Sequence, residues 1–369
     1  SHSQLNEKMF IATLEVIFWL SLFIVFYSYV GYGILLFLII RIKRLFIGKP
    51  VFPSPTDKDL REVTYLVAAY NEERWIEDKI RNSLAFNYPK DKIQYYFVTD
   101  GSNDSTPDLI EKFQAPKDVT LKLFHSPERK GKIAAVERVM KFVDTPIVIY
   151  SDANTDVNPD AIYNIVRHYE NPKVGAVAGE KRISLGHKDD ASGAGEGIYW
   201  KYESTLKKWD SELYSAVGAA GELFSIRTKF FNHVPANTII EDFVMTMEIA
   251  QKGYKIVYEP DAYAVEGPSA SVKEELKRKI RIAAGGFQAI ARLSSLLNPL
   301  KYGILSFQYI SHRVLRWTLA PLALPILLIT NILLAIYGSL IFKVILIAQI
   351  AFYLFAFLGY LLEKQKLKI

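Results

Sequence analysis

The sequence predicts an α/β protein in which a doubly wound, mostly parallel sheet is accompanied by interfacial helices and three transmembrane helices. In the middle of the chain, short apolar, β-prone runs alternate with segments of helical periodicity, the pattern of a mostly parallel sheet. Long apolar segments with few or no charges lie near both ends. The apolar run Ile147–Tyr150 leads directly into the polar cluster Ser151–Asp156, which predicts a buried strand with a ligand-binding tip.

Composition limits the class of protein. Half of the 369 residues are hydrophobic, and the mean hydropathy of +0.10 is high for a soluble protein. The chain has no cysteine, which excludes disulfides and thiolate metal sites. The net charge of +6 would suit nucleic acid, but no basic-aromatic nucleic-acid motif is present, and we expect no nucleic-acid partner. A basic cytoplasmic face against anionic lipid is the simpler account of this charge.

The first predicted span is Val16–Ile40, which is uncharged and long enough to cross a bilayer. It is followed at once by basic residues: Arg41, Lys43, Arg44 and Lys49. By the positive-inside rule, this end of the span is cytoplasmic and the N-terminus lies outside. Pro50, Pro53 and Pro55 then predict a stiff linker to the next domain.

The central part of the chain predicts a soluble α/β domain, placed in the cytoplasm by the first span. We predict strands at Val63–Ala69, Ile93–Thr99, Val119–Phe124, Ile147–Tyr150, Val174–Ala178 and Tyr254–Glu259. We predict helices at Asn71–Leu84, from Ser105, and at Ile133–Phe142, Pro159–Tyr169, Ile198–Leu213 and Thr238–Gln251.

The remaining segments are basic or strongly apolar. Val272–Leu297 and Ile304–Arg316 combine basic residues with an apolar stripe, which favours the membrane interface; packing on the domain is the alternative. Thr318–Tyr337 and Leu340–Leu362 form a predicted transmembrane hairpin. Basic residues at both ends of the hairpin predict a cytoplasmic C-terminus: Arg313, Arg316, Lys364, Lys366 and Lys368. The predicted domains are therefore residues 1–49, 50–268, 269–316 and 317–369.

Four polar segments follow predicted strands and should gather at one edge of the sheet. They are Ala69–Glu72, Asp100–Ser102, Lys130–Lys132 and Ser151–Asn154. Asp152 and Asn154 alternate, so an extended strand tip would point both side chains to one side, where their oxygens could hold a hard divalent cation that bridges a diphosphate. The alternative is an Asx-rich turn after a strand. Together the four segments predict a cradle for a nucleoside diphosphate.

With these segments the chain resembles the family 2 glycosyltransferases, whose GT-A fold is a Rossmann-like sheet that binds a nucleotide sugar. The resemblance covers about residues 62–288 and includes the membrane-bound branch of cellulose, hyaluronan and poly-N-acetylglucosamine synthases and ceramide glucosyltransferases. The residues that carry it are Ala69–Glu73, Thr99–Ser102, Lys130–Lys132, Ser151–Thr155, Gly218–Phe224 and Ile240–Phe243.

The resemblance implies a role for each matched residue. Asp242 corresponds to the general base, with Glu241 as the alternative. Metal binding falls to Asp152 and Asn154. The implied nucleotide-sugar residues are Ala69, Tyr70, Glu72, Asp100, Lys132, Asp152, Arg278 and Arg281, and the implied acceptor residues are Gly221, Glu222 and Glu241.

Two departures from the family pattern bear on substrate binding. Asn154 stands where the family has a second aspartate, which makes the metal site one charge weaker while still offering an oxygen. The family's QxxRW motif corresponds to Arg278–Ile282, in which both arginines fit but Ile282 replaces the tryptophan. In the polymer synthases this indole helps to hold the acceptor sugar, so its replacement leaves the acceptor open.

The resemblance implies a membrane-embedded inverting glycosyltransferase of the cell's inner membrane. We expect a nucleotide-sugar donor, of the UDP type, and a Mg²⁺ or Mn²⁺ cofactor. The expected product is a surface or secreted polysaccharide. The alternatives are single-step transfer to a membrane lipid of the ceramide or polyprenyl type, and a non-catalytic subunit of a synthase complex. The expected partners are thus the donor, a glycan or lipid acceptor and the bilayer. An oligomer or a secretion partner is compatible with this expectation.

Overall fold

A computed structural model describes the backbone of residues 2–56, 59–184, 191–267 and 272–366. Side chains are described for 4–56, 59–184, 199–267, 276–359 and Leu361. The predicted domain boundary between residues 268 and 269 lies outside the described residues. So do the side chains of Lys364, Lys366 and Lys368, on which part of the predicted membrane orientation rests.

The described ranges contain eight strands in one sheet. They are β1 Val63–Ala69, β2 Ile93–Asp100, β3 Thr120–Ser126, β4 Ile147–Asp152, β5 Thr155–Val157, β6 Val174–Ile183, β7 Leu223–Arg227 and β8 Lys255–Glu266. The strand order is β3-β2-β1-β4-β7-β6-β8-β5. The first four strands in this order run parallel, as the alternation of strands and helices predicts.

The other half of the sheet is mixed. β7 is antiparallel to both of its neighbours, β4 and β6, while β6 and β8 are parallel and β5 is antiparallel to β8. The sequence pattern does not predict β5 or β7. β5 is three residues long and lies inside a polar cluster, and β7 follows the glycine-rich segment 215–222, so neither has enough periodicity to be recognised.

The helices of the described ranges are mostly amphipathic or apolar. They are α1 His2–Phe26, α2 Tyr32–Ile47, α3 Ile76–Leu84, α4 Thr106–Glu111, α5 Lys132–Met140, α6 Ala161–Val166, α7 Ala191–Leu213, α8 Glu241–Gln251, α9 Val272–Arg292, α10 Pro299–Tyr302, α11 Ile304–Tyr309, α12 Leu315–Trp317, α13 Leu319–Tyr337 and α14 Leu340–Lys366. α3 begins five residues later than predicted, because Asn71 adopts a left-handed conformation with φ of 53° and starts a turn instead.

Helices cover both faces of the sheet, which gives a core on each side. On one face, α3, α4 and α6 contribute buried residues such as Ile80, Ile110 and Ile165. On the other face, α5 and α8 contribute residues such as Val139 and Met247. The central strands are buried on both faces, which explains why they read as continuous apolar runs.

The first helix runs without a break from His2 to Ile47, because a π-helical turn at Tyr27–Gly31 joins α1 to α2. α1 packs against α13, and Phe18 contacts Phe342 of α14 edge to face. α2 instead packs against α7 of the central domain, where Tyr32 and Leu36 are buried beside Leu206. The predicted span Val16–Ile40 therefore includes a half that lies against the central domain.

In the part of the chain that the structure describes, three helical segments are long and apolar enough to cross a membrane: Gln4–Ile47, Leu319–Tyr337 and Leu340–Gly359. The two predicted interfacial segments differ from each other. α9 exposes large apolar side chains, among them Ile280 and Phe287, as an interfacial helix would. The segment that begins at α11 packs on the central domain, because Leu305 and Tyr309 are buried in its core. For this second segment the structure therefore shows the packing that the sequence left as the alternative.

Candidate active site

The polar segments after the parallel strands meet at one edge of the sheet. In the strand register, Ala69 lies opposite Thr99, and Ala68 lies opposite Asp152. The carboxyl ends of β1, β2 and β4 are therefore level with one another. This is the edge at which open α/β sheets bind ligands.

Asp100 organises the loop that leads into α5. Its Oδ2 accepts hydrogen bonds from the backbone N–H groups of Lys130 at 2.7 Å and Gly131 at 2.6 Å. Gly131 has a φ of 95°, which a glycine adopts without steric cost. Arg138 lies 3.8 Å from the other carboxylate oxygen. Asp100 thus holds in place the loop that positions Lys132, the first residue of α5.

Three further residues with an implied nucleotide role lie at the end of β1. Ala69 is buried there, and Tyr70 is 37% exposed. The guanidinium of Arg129 lies 3.5 Å from the centre of the Tyr70 ring and covers one face of this ring. Glu72 is half-buried, and burial, followed by the nearby charge of Asp152, raises the pKa of its carboxyl. Tyr70 therefore presents an aromatic surface beside a loop fixed by Asp100.

Lys132 joins two elements of the site through its ammonium. Its Nζ lies 3.1 Å from Asp152 Oδ1 at the end of β4 and 3.3 Å from Glu241 Oε1 at the start of α8. Burial lowers the pKa of Lys132, but the carboxylates of Asp152, Glu241 and Asp242 outweigh it and raise the pKa above its ordinary value. Lys132 therefore stays charged and draws the strand tip and the helix together.

Asp242 lies at the first turn of α8, beside Lys132 and above Gly221. Burial, followed by the charge of Glu241, raises the pKa of the Asp242 carboxyl to about 7, and Lys132 opposes this rise. A side chain at Gly221 would place its Cβ 3.3 Å from Asp242 Oδ2 and 3.5 Å from Lys132 Nζ. The glycine therefore keeps the space in front of the carboxylate open. A carboxyl with a pKa near neutrality in an open space is suited to proton transfer.

The two residues predicted to bind metal point to different surroundings. β4 ends at Asp152, and the chain turns at Ala153 and Asn154 before β5 begins. Asp152 pairs with Lys132, whereas Asn154 Nδ2 donates to Glu266 Oε1 at 3.3 Å. The expectation that both side chains point to one side assumes an extended strand tip, and the turn removes that condition.

The residues around Asp152 offer few protein ligands for a metal ion. Within the described residues, no three Asp, Glu or His side chains are grouped so that they could hold a metal by themselves. Asp152 nevertheless supplies one carboxylate at the sheet edge, and burial raises its pKa while Lys132 opposes the rise. A single protein carboxylate fits a Mg²⁺-like ion that takes its other ligands from water and substrate phosphates. The site is therefore compatible with a metal that enters together with a diphosphate.

The implied acceptor residue Glu222 belongs to a charged network. Buried Lys181 lies 2.6 Å from Glu222 Oε1 and also pairs with Glu266. Arg278 lies 3.6 Å from Glu266, and both Arg278 and Arg281 line the same cavity as Asp152. Burial raises the pKa of Glu222, but the Lys181 ammonium outweighs it and holds the pKa below its ordinary value. Glu222 is thus an ionised, tightly held carboxylate.

These residues line an open cavity of about 730 Å³. Lys132, Asp152 and Asp242 lie on one wall, and two indoles, those of Trp200 and Trp317, contribute to the rest of the lining. Neither indole belongs to a motif that the sequence reveals. Trp200 belongs to α7 and Trp317 to α12, far from the motifs in sequence, so only the fold brings them to the cavity. A wall of aromatic side chains beside a few charged groups is typical of a ligand pocket.

Trp317 is held firmly at the cavity. Its ring lies edge to face against Phe243, with 5.1 Å between ring centres. Phe243 directly follows Asp242 in the sequence. Gly286 on α9 packs under the indole, where a Cβ would lie 2.6 Å from it. Ile282, which replaces the family tryptophan, lines the same cavity. The cavity therefore has an aromatic wall that comes from a different element of the chain. Lys181 and Glu266 were also missed, because β6 and β8 both extend beyond the strand ends predicted at Ala178 and Glu259.

Comparison with known proteins agrees with this geometry. Residues 64–234 match the model of glycosyl transferase family 2. The chain is 29% identical over 245 residues to the poly-beta-1,6-N-acetyl-D-glucosamine synthase of Staphylococcus aureus (strain COL), a match that covers 65% of this chain and 58% of that protein. The synthase of the same name from Staphylococcus epidermidis is 26% identical over 235 residues, covering 62% of this chain and 56% of that protein. The chain thus spans less than two thirds of the length of these curated relatives.

A solved structure matches the chain over most of its length. It is the mannosyltransferase PcManGT from Pyrobaculum calidifontis in complex with GDP-Man and Mn²⁺, with a TM-score of 0.72, 25% identity and coverage of 92% of each chain. The predicted α/β fold of the GT-A type is confirmed. Residues 64–234 therefore form a domain that matches glycosyl transferase family 2, and the described residues include three helices long enough to cross a membrane.

Proposed function

We propose that this protein transfers a sugar, with inversion at the anomeric carbon, from a nucleotide sugar to a growing surface or secreted polysaccharide. The observation that carries the proposal is the arrangement of Asp152, Lys132 and Asp242. Asp152 lies at the strand tip, where its carboxylate could hold a metal ion bound to the diphosphate. Lys132 lies between it and Asp242, whose pKa of about 7 suits a general base. Donor activation and acceptor deprotonation can therefore occur within one cavity.

The donor would bind along the edge of the sheet. Ala69, Tyr70 and Asp100 lie where a nucleobase and ribose would rest, with the ring of Tyr70 available for stacking. Lys132 lies at the N-terminus of α5, and it is close enough to the cavity to meet a phosphate. Arg278 and Arg281 line the same cavity and would add positive charge around the diphosphate. We propose a UDP-sugar as the donor, with a GDP-sugar as the competitor because PcManGT was solved with GDP-Man.

We propose Mg²⁺ or Mn²⁺ as the cofactor, held by Asp152 and the donor diphosphate, with Asn154 as a second oxygen donor. The proposal is supported by the oxygen donors at the strand tip and by the Mn²⁺ in the structure of PcManGT. Such an ion would offset the charge that develops on the departing diphosphate. Lys132 lies close enough to Asp152 to share this task.

The chemistry of the chain's own residues then follows from their positions. Asp242 in its ionised form takes the proton from an acceptor hydroxyl as that oxygen attacks the anomeric carbon. The bond from this carbon to the diphosphate oxygen breaks, and Lys132, Arg278 and Arg281 stabilise the leaving group. Gly221 leaves the room that the acceptor hydroxyl needs in front of Asp242. Attack from the side opposite the leaving group inverts the configuration.

The acceptor would occupy the part of the cavity beyond Asp242. Gly221 and Glu222 line this part of the cavity, as do the indoles of Trp200 and Trp317. Sugar rings present apolar C–H faces that pack on aromatic rings, and Glu222 can accept hydrogen bonds from hydroxyl groups. We propose that Trp317 supplies the acceptor-binding aromatic surface that Ile282 lacks.

A second candidate is single-step transfer to a membrane lipid. One observation favours it: Trp317 lies just before α13, so the cavity opens near a helix that can cross the membrane. For either acceptor we propose an inner-membrane protein with a cytoplasmic catalytic domain, an external N-terminus and a cytoplasmic C-terminus.

A donor screen on the full chain in nanodiscs tests the proposal. UDP- and GDP-sugars are supplied with Mg²⁺ or Mn²⁺, and released nucleotide and glycan products are followed by gel and mass. A polymer ladder supports the first candidate, and a single lipid-linked product supports the second. Asp242→Asn serves as the inactive control. If neither transfer nor nucleotide-sugar hydrolysis occurs with any donor, the protein is a non-catalytic subunit and the proposal is wrong.

A further inference from the structure

Lys79 is a buried lysine that belongs to none of the motifs discussed above. It is only 1% exposed and lies on the buried face of α3, together with Ile76, Ile80 and Ser83. An apolar residue would be the ordinary choice at such a position, because burying an ammonium is costly unless its charge is paired or hydrogen-bonded. The surroundings of Lys79 must therefore compensate for its burial.

All the oxygen acceptors around the Lys79 ammonium come from the turn that carries Asp152. Nζ donates to Ser151 Oγ at 2.9 Å, to Thr155 O at 2.7 Å and to Thr155 Oγ1 at 3.1 Å. These three bonds match the three hydrogens of an ammonium group. Ser151 and Thr155 stand directly on either side of the Asp152–Asn154 segment. Lys79 therefore fastens both ends of this turn from beneath.

The same hydroxyl groups extend the connection into the site. Thr155 Oγ1 donates to the backbone oxygen of Asp152 at 2.9 Å, and Ser151 Oγ donates to the backbone oxygen of Glu222 at 3.1 Å. The Lys79 ammonium also lies 5.7 Å from the centre of the Tyr65 ring. One buried cation thus links the end of β4, the start of β5 and the residue before β7.

We propose that Lys79 is a positioning residue that fixes the orientation of Asp152 toward the donor diphosphate and its metal. This inference rests on the proposed role of Asp152 in donor binding. Three hydrogen bonds from one buried side chain to both ends of a short turn can set its geometry, and they are strongest while the lysine is protonated. A purely structural lysine would affect folding stability but not the affinity for the donor nucleotide, and this difference makes the inference testable.

The test measures binding of UDP and GDP in the presence of Mn²⁺ by calorimetry, using the full chain in nanodiscs. Lys79→Met keeps the length of the side chain and removes its hydrogen bonds. We expect a loss of nucleotide affinity of about tenfold or more, since several oriented bonds are lost. The donor KM should rise by a similar factor, while kcat changes less. Ser83→Ala is the matched control, because Ser83 lies on the same buried face and its hydroxyl donates to the backbone oxygen of Lys79 and not to the turn.

A second pair of variants covers the case in which Lys79→Met does not fold. Thr155→Val removes one hydroxyl acceptor and should weaken nucleotide binding, and Thr155→Ser should restore it. Nucleotide affinity equal to that of the parent in a folded Lys79→Met, with or without a lower Tm, would overturn the inference and leave the proposed function intact. A parent protein that binds neither UDP nor GDP would overturn both.

Discussion

Lys132 Nζ lies 3.1 Å from Asp152 Oδ1, and this ion pair joins the tip of β4 to the N-terminus of α5. The same ammonium lies 3.3 Å from Glu241 Oε1, so one cation serves carboxylates from two elements. Asp242 adds a third acidic group to this cluster. Acidic groups therefore outnumber the cation at this point, which favours the entry of a further positive charge with the substrate. Burial first, and then the charge of Glu241, keeps the pKa of Asp242 high.

Asp242→Asn should remove transfer activity while preserving donor binding. The amide keeps the shape of the side chain but cannot accept the acceptor's proton, so kcat should fall by about 10²-fold or more. Nucleotide affinity should stay within about twofold of the parent, because the substitution removes a proton acceptor and not a phosphate ligand. Steady-state kinetics and calorimetry on the same preparations check both parts. Full activity in Asp242→Asn, combined with loss of activity in Glu241→Gln, would move the base to Glu241.

The pH profile of kcat/KM should have an acidic limb near pH 7. Burial and Glu241 raise the pKa of Asp242 to about 7, and the base must be ionised, so activity should fall about tenfold per pH unit below that value. Glu241→Gln removes a like charge, lowers the pKa of Asp242 and should shift the limb to lower pH. Glu248→Gln, on the same helix but distant from the site, is the control. An acidic limb in Glu241→Gln that matches the parent's would show that Asp242 does not set it.

The raised pKa of Asp242 also has a consequence for stability. The folded protein keeps a proton on this carboxyl at pH values where the unfolded chain has released it. The free energy of unfolding should therefore decrease as the pH rises from the ordinary carboxyl range to about 7. Asp242→Asn should flatten this part of the stability curve, which thermal melts across that pH range can measure.

The parallel half of the sheet could be predicted from sequence, because β1, β2 and β4 are buried on both faces and their apolar runs stand out. The antiparallel β7 could not be predicted, and the turn at Asn154 was only the alternative to an extended strand tip, since both depend on what the chain packs against and not on local periodicity. The motif residues around Asp152 and Asp242 were found because their residue types are distinctive. The wall formed by Trp317 was missed, because a single aromatic residue gives no sign of its distant partners.

Trp317→Ala should weaken acceptor binding more than donor binding. The indole lines the cavity beyond Asp242 and packs against Phe243 and Gly286, so its loss removes an aromatic surface that the proposed acceptor uses. We expect the acceptor KM to rise about tenfold, as for the loss of one stacking contact. A polymerising enzyme should also make shorter products. Trp317→Phe should retain much of the acceptor binding, because it keeps an aromatic ring at this position. An unchanged acceptor KM in a folded Trp317→Ala would exclude this wall from the acceptor site.

The metal prediction depends on the separation of Asp152 and Asn154. With one carboxylate in place and Asn154 turned toward Glu266, the protein without donor should bind Mn²⁺ weakly. Metal and nucleotide should then bind together, and each should tighten the other by the same factor, as linkage requires. Asp152→Ala should abolish metal-dependent nucleotide binding. Calorimetric titration of UDP and GDP with and without Mn²⁺ measures this coupling.

Asn154→Asp distinguishes a metal ligand from a turn residue. A carboxylate at this position would be repelled by Glu266, to which Asn154 donates its amide hydrogen bond, and attracted by a cation held at Asp152. If residue 154 reaches the metal, Asn154→Asp should raise the affinity for Mn²⁺ in the absence of nucleotide. If it belongs only to the turn, the substitution should lower the Tm and leave Mn²⁺ affinity unchanged. Equal nucleotide affinity with and without Mn²⁺ in the parent would contradict the metal site altogether, and Asp152 would then act through Lys132 alone.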